Sequence, residues 1–394
     1  MLLRLLVAMM WVVSACSVSW AQTPTLSWLE YQKILFDKNI SLQSSYWAVT
    51  ASMRARDIAG ANAWPEISLG ASATHTEGTQ VSDLFSYSLS GSYTLFDAGA
   101  NSARIRAASI ALDSTRLDEI KNWITVRSNA RLAYVDAAYF SEKVNLLTQI
   151  RERLKRNEEF MKVKFEGGQQ ARWVYLSAKN SRLAVDQQII AATRRLQQAR
   201  KQLALYLGQS RLDENVTLDA LPTSVNLTLP ENYQSFVSAN VDVLKAEKNI
   251  ESAQTQLDIE TASLWPLLTL KGSTGLSGTP AFFPSQSNWQ VGLNLSLNLF
   301  DANSRGNLIM QRQAQLASAK LDWYELVLEN TQAILSAHND VKDNMEHMPL
   351  AVDALNVAQE RLDTSEQLYL AGLAIYLEWD QAQQTLTQAQ TNLL

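Results

Sequence analysis

Two periodicities divide this chain. In residues 86–95, Tyr87, Leu89, Gly91, Tyr93 and Leu95 alternate with Ser86, Ser88, Ser90, Ser92 and Thr94. In residues 289–298, Trp289, Val291, Leu293, Leu295 and Leu297 alternate with Gln290, Gly292, Asn294, Ser296 and Asn298. A period of two puts apolar side chains on one face of a strand and small polar ones on the other. Weaker alternation at Ile67, Leu69 and Ala71, and at Leu268 and Leu270, gives each strand a hairpin partner. Elsewhere apolar residues recur at spacings of three and four, as in Leu117, Ile120 and Ile124, then Leu132, Val135 and Tyr139, then Leu147, Ile150 and Leu154. That stripe belongs to a helix packed lengthwise on other helices in coiled-coil style.

Glycine and proline mark where these elements end. Neither occurs from Ala100 to Glu166, and these 67 residues, if helical, would span roughly 100 Å, some three times the ~30 Å hydrocarbon thickness of a bilayer. A second such stretch runs from Asn307 to Ala371, interrupted by Pro349, where the missing N–H and the ring predict a kink or break. Shorter helices are expected from about Ala171 to Leu207 and from about Ile375 onward. Two more are expected ahead of the hairpins, from about Leu26 to Asn62 and from about Glu231 to Ser263.

The landmarks repeat. Trp64-Pro65 recurs as Trp265-Pro266, a shift of 201; Leu95-Phe96-Asp97-Ala98 recurs as Leu299-Phe300-Asp301-Ala302, and Phe165-Glu166-Gly167-Gly168 as Tyr369-Leu370-Ala371-Gly372, both shifted by 204. Preserved order and near-constant spacing imply a duplicated unit. The first repeat covers 22–211, with strands at about 64–78 and 85–96, a long helix over 100–166, a tip and a return helix over 171–207. A linker follows at 212–230. The second repeat covers 231–394, with strands at about 265–278 and 288–300, a long helix over 303–371, a tip and a short final helix. The chain runs about 40 residues past Gly168 to Gly208 but only 22 past Gly372, so the last helix is short or the record stops early.

Composition narrows the chemistry. With a net charge of -5 and no basic run longer than two residues, nothing favours nucleic acid as a partner. His75, His338 and His347 share no metal-ligand spacing with one another or with the single cysteine, and no nucleophile–base constellation occurs at an informative spacing, so neither a metal, a cofactor nor an enzyme is expected.

The chain opens with Arg4 and an apolar run from Leu5 to Val13, followed by Ser19-Trp20-Ala21 with small residues where a signal peptidase reads. This marks 1–21 as an export signal. A lipoprotein signal competes with it, since Val13-Ser14-Ala15 precedes Cys16; cleavage after Ala21 is favoured because the apolar run is weak next to Cys16. No disulfide framework is possible with one cysteine.

Past the signal no stretch of roughly 18 apolar residues occurs, so any membrane span must be made of strands. A half-buried soluble sheet shows the same alternation. Strand lengths near ten, Trp64, Tyr87, Tyr93, Trp265 and Trp289 placed like interfacial belts, and the export signal favour an outer-membrane barrel wall. Four strands cannot close one, because the smallest such barrels have about eight. Several chains must then share a barrel, since open edges in lipid leave backbone groups unpaired.

These pieces together resemble the TolC-type outer-membrane factors across the whole mature chain: the Trp-Pro lead-in to each first strand, the Leu-Phe-Asp-Ala exit from each second strand, and the turn Tyr369-Leu370-Ala371-Gly372-Leu373-Ala374 followed by Tyr376-Leu377-Glu378 and Gln381-Ala382-Gln383. The resemblance implies an all-α-dominated chain with membrane β-hairpins, a homotrimer whose helices form a periplasmic α-barrel under a twelve-stranded outer-membrane β-barrel, four strands per chain. It implies a passive exit duct that docks with a periplasmic adaptor and an inner-membrane transporter. Efflux of small molecules, type I protein secretion and, more distantly, an exported helical scaffold without a pore are the alternatives.

Asp97 and Asp301 are placed to cap the helices that follow, while Trp64-Pro65 and Trp265-Pro266 stop a helix and start a strand. Gly167-Gly168 and Gly372 allow the reversal between helices. By resemblance Gly168, Gln169, Gly372, Leu373 and Ala374 face the adaptor, and Glu378 matches an acidic position at the narrow periplasmic entrance. Asp380 and Gln381 depart from the family's pattern, so a double acidic ring is in doubt; a solvated helix face accounts for Glu378 and Asp380 equally well.

Overall fold

A computed structural model describes residues 25–77, 82–210, 217–219, 234–278 and 286–394. The signal segment 1–21, Cys16 included, and most of the expected linker lie outside them. The elements are β1 (Thr25–Leu26), α1 (Trp28–Lys38), α2 (Ile40–Ala61), β2 (Glu66–Thr76), β3 (Ser82–Phe96), α3 (Ala100–Glu166), α4 (Arg172–Tyr206), β4 (Thr217–Leu218), α5 (Gln234–Ser238), α6 (Val241–Ala262), β5 (Leu267–Gly278), β6 (Gln286–Ser296), α7 (Ser304–Leu370) and α8 (Tyr376–Leu393). Helices α3 and α7 are each 67 residues long. The chain divides into two compact units, and each long helix contributes to both.

Among the described residues, one unit comprises 25–39, 127–210, 217–219 and 348–394. Strand β1 pairs in parallel with β4, and the Tyr134 hydroxyl secures both by donating to Leu26 O at 2.7 Å and accepting from Asp219 N at 3.1 Å. A capping box between Ser27 and Glu30 starts α1. Buried Tyr31 donates to Leu203 O at 3.0 Å, tying α1 to the end of α4. Leu147, Ile150 and Leu154 of α3 meet Val185 and Ala192 of α4, so part of the predicted stripe is the seam between the two helices.

The other unit comprises 40–77, 82–126, 234–278 and 286–347. Its sheet has the order β2-β3-β5-β6, antiparallel throughout, so β3·β5 pairing joins the two hairpins. The alternation reads directly onto its faces: Ser68 pairs with Ser90, Ser90 with Ser273 and Ser273 with Gln290, while the opposite face carries Leu69, Leu89 and Trp289. Leu69 is 80% and Trp289 79% exposed. An apolar face of that extent, left bare among the described residues, has the character of a lipid-contacting wall. No helix among the described residues is long and apolar enough to cross a membrane. In the same unit, α3 and α6 are joined by two ion pairs, Lys121–Asp242 and Lys245–Asp118.

Four expectations are corrected. The single helix expected over 231–263 is two, α5 and α6, because Asn240 is extended (φ -67°, ψ 129°) and caps α6 by accepting from Asp242 N at 2.8 Å. The single helix over 26–62 is two, because Asn39 is extended (φ -68°, ψ 121°) and its side chain donates to Tyr206 O at 2.8 Å. Of the kink or break expected at Pro349, the break is absent: α7 runs through it, and the Met345 carbonyl that loses its donor lies on an exposed stretch open to water. The last strand stops at Ser296 instead of continuing to 300, because β5 begins at Leu267, opposite Ser296, and offers 297–300 no partner. Strand β3, flanked on both sides, continues to Phe96.

Candidate functional site

The strand-to-helix junctions are the same construction twice. Ala98 and Ala302 both have φ 52°, followed by Gly99 at φ 88° and Asn303 at φ 63°, a left-handed pair that Gly and Asn tolerate best. Asp97 accepts from Gly99 N at 3.0 Å and Asn101 N at 2.6 Å. Asp301 accepts from Arg305 N at 3.3 Å and Arg305 Nε at 2.6 Å, and the bonded guanidinium holds its carboxyl below the usual range. Trp64 and Trp265 follow their helices by a last turn, with N–H bonds to Ala61 O at 3.0 Å and Ala262 O at 3.1 Å, and both rings are exposed. Trp64, Pro65, Asp97, Trp265 and Pro266 border one groove of about 1030 Å³, with Asp301 held beside it by Arg305.

Two residues that the sequence reading passed over close these junctions. Asn101 Nδ2 donates to Asn62 O at 3.0 Å, and Arg305 Nη1 donates to Ser263 O at 3.0 Å. They are 204 positions apart, and so laying one repeat over the other would have paired them.

The tips belong to the first unit described. Helix α3 ends with Gly168 N bonded to Phe165 O at 3.0 Å and Gln169 N to Lys164 O at 2.8 Å; α7 ends with Gly372 N bonded to Tyr369 O at 3.0 Å and Leu373 N to Leu368 O at 2.8 Å. Both are Schellman motifs, with Gly168 at φ 72° and Gly372 at φ 77°. The turns are held together: Gln170 Nε2 donates to the Tyr369 hydroxyl at 3.2 Å, and Lys164 Nζ sits 4.8 Å from the Tyr369 and Phe160 ring centres. Tyr369 stacks on Trp379 at 5.0 Å in a core with Met161, Val174, Leu362, Tyr376 and Leu386. Gly168, Gln169, Gly372 and Leu373 are exposed and Ala374 is half-buried; Leu373 is 77% exposed.

The three entrance candidates separate. Glu378 and Gln381 lie on the exposed face of α8, whereas Asp380, 4% exposed, points into the helical core. It therefore lines no channel. Its Oδ2 accepts from Gln384 Nε2 at 2.9 Å while Oδ1 has no hydrogen bond among the described residues. Burial pushes its carboxyl up, against the hydrogen bond from Gln384 that pulls it down. The signal was present in the spacing of Tyr376, Trp379, Gln383 and Leu386, all buried, which puts position 380 on the same stripe. Among the described residues no group of His, Cys, Asp and Glu could hold a metal ion.

Comparison with known proteins agrees with this architecture. The family model described as outer membrane efflux protein matches residues 33–209 and 232–394. Nodulation protein T of Rhizobium leguminosarum bv. viciae is 22% identical over 402 residues, covering 96% of this chain and 80% of that protein. The pyoverdine export outer membrane protein OpmQ of Pseudomonas aeruginosa is 25% identical over 371 residues, covering 84% and 74%. In structure, the outer membrane protein VceC of Vibrio cholerae superposes with a TM-score of 0.81 at 18% identity, covering 93% of this chain and 91% of that one. The open state of the MtrE outer membrane channel of Neisseria gonorrhoeae gives 0.82 at 17%, covering 96% and 89%.

Proposed function

This chain belongs to the outer membrane efflux protein family, a family of outer-membrane channels and not of enzymes, and from that premise we propose that it is the exit duct of a tripartite export system. Three copies assemble, each lending four strands to one barrel and its long helices to a periplasmic tunnel. Small molecules pass through it, delivered by an inner-membrane transporter through a periplasmic adaptor. The observation that carries this reading is the four-stranded sheet whose two edge strands, β2 and β6, find no second partner among the described residues and whose apolar face is bare. In lipid such edges must be paired, and further copies of the same sheet supply the partners.

The tips supply the docking surface. Gly168, Gln169, Gly372, Leu373 and Ala374 are proposed as adaptor contacts, supported by exposed Leu370, Leu373, Ile375 and Leu377 around the second turn. Glu378 and Gln381 are proposed to face the tunnel entrance, where copies of Glu378 on the symmetry axis would favour cations.

Small-molecule cargo is favoured over protein by the relative named for pyoverdine export. Type I secretion remains the second reading. The deciding experiment compares a deletion strain with its complemented parent for a fluorescent efflux dye and for the extracellular proteome. Raised dye with an unchanged proteome supports efflux; loss of one or a few secreted proteins with unchanged dye assigns the duct to secretion.

A further inference from the structure

The polar face of the sheet is almost free of charge. Its described positions on β2, β3, β5 and β6 are Ser, Thr, Gly, Asn and Gln, with Leu84 and Leu267 near the ends. The exceptions among the described residues are Glu66 and Lys271, and both fall in one row: Glu66 pairs with Ser92, Ser92 with Lys271, and Lys271 with Gly292. Both side chains are exposed, and two strand spacings put their backbones about 10 Å apart. A groove of about 660 Å³ lies along this face, bordered by Glu66, Ser90, Lys271, Ser273, Gln290 and Asn294. The sheet thus curls toward its polar side, and the row sits at the helix-proximal end, directly after Trp64-Pro65 and shortly after Trp265-Pro266.

We infer that Glu66 and Lys271 form the charge filter of the outer-membrane section of the duct. The inference rests on the duct reading above, because the concave face becomes the lumen wall only when several sheets close. Each copy then presents one carboxylate and one ammonium at the same level, in a wall otherwise without charge to compete. Lys271 attracts anions and repels cations; Glu66 does the reverse. With equal numbers of each, the level discriminates little by net sign and favours small solutes that carry both charges, since such a solute meets an opposite partner for each of its ends. Ser92 between them is too short to neutralise either group.

The test is single-channel recording of the purified full chain in planar bilayers under a potassium chloride gradient, for wild type, Glu66→Gln, Lys271→Gln and the double variant. Lys271→Gln is expected to raise the cation-to-anion permeability ratio and Glu66→Gln to lower it, each by roughly twofold near 0.1 M salt, where the Debye length of ~10 Å still spans the row. The double variant returns close to wild type. Conducting pores whose ratio is unmoved by both single changes, or moved the same way by both, overturn the filter alone. A chain that inserts no pore overturns the duct reading and the filter with it.

Discussion

The side-chain amide of Asn303 occupies the space where a Cβ of residue 306 would stand: a methyl group there would lie 3.1 Å from Asn303 Cγ, with Oδ1 closer still. The first repeat solves the same turn the other way round, with Gly99 small and Ser102 bulky, and the Ser102 hydroxyl donates to Gly99 O at 2.8 Å. Position 303 matches 99 and 306 matches 102. The two repeats therefore exchange which residue of the pair gives way.

Gly306→Ala is expected to destabilise by about 1 kcal/mol, the lower end of what overpacking costs. Asn303→Gly in the same chain should recover most of that loss. A double-mutant cycle from thermal unfolding checks this; strict additivity would mean that the two residues do not share the space.

Arg305 should matter more than its repeat partner. It bonds Asp301 and the carbonyls of Ser263 and Asn298, joining the end of α6, the exit from β6 and the start of α7, while the Asn101 side chain reaches one carbonyl. Arg305→Ala is expected to cost about 2 kcal/mol and Asn101→Ala about 1 kcal/mol, since bonds from a charged donor exceed neutral ones. Arg305→Lys should rescue little, because an ammonium cannot span three acceptors in a planar fork. Chemical denaturation of the detergent-extracted protein measures all three.

Asp380 predicts a pH dependence of known sign. Its folded carboxyl is raised above the ordinary 3.8 by burial, so the folded state holds the proton more tightly than the unfolded state does. Its contribution is fully present below 3.8 and is lost as pH rises through the folded value. Asp380→Asn should therefore raise the melting temperature at neutral pH, with the advantage shrinking as pH falls toward 3.8. A scan of melting temperature against pH for both proteins would reveal it; a constant gap would argue against a buried titrating carboxyl.

Gly168 and Gly372 have open space where a Cβ would go, and so a substitution there meets only the backbone penalty of positive φ. Gly168→Ala and Gly372→Ala are each expected to cost about 1 kcal/mol, and Asn at either site less. If the tips dock the adaptor, Leu373→Asp should lower export in the dye assay while leaving the melting temperature unchanged, since Leu373 is exposed and outside the buried core.

Features written in local spacing were legible. The bonds of α3 and α7 join residues four apart, and the length of α3 follows from where glycine and proline fall, whereas α7 carries Gly306 and Pro349 within it. The faces of the sheet follow from alternation, which fixes Ser90 and Leu89 on opposite sides whatever pairs with them. The duplication then placed both junctions and both tips, because Asp97 and Asp301, or Gly168 and Gly372, answer to the same local turn geometry.

What depends on residues distant in the chain was decided only by tertiary structure. Asn39 ends a helix because Tyr206 offers it a carbonyl 167 positions away, and Thr25–Leu26 become a strand because Thr217–Leu218 lie alongside. The spacing of Tyr376, Trp379 and Gln383 already puts Asp380 on the apolar stripe of α8, but only the packing of α3, α4 and α7 against that stripe decided that it is covered. The union of the two hairpins through β3 and β5 likewise set Glu66 and Lys271 in one row. Sequence determined each element and its faces through local backbone geometry; packing between segments some 200 residues apart determined which face was covered and which charges became neighbours.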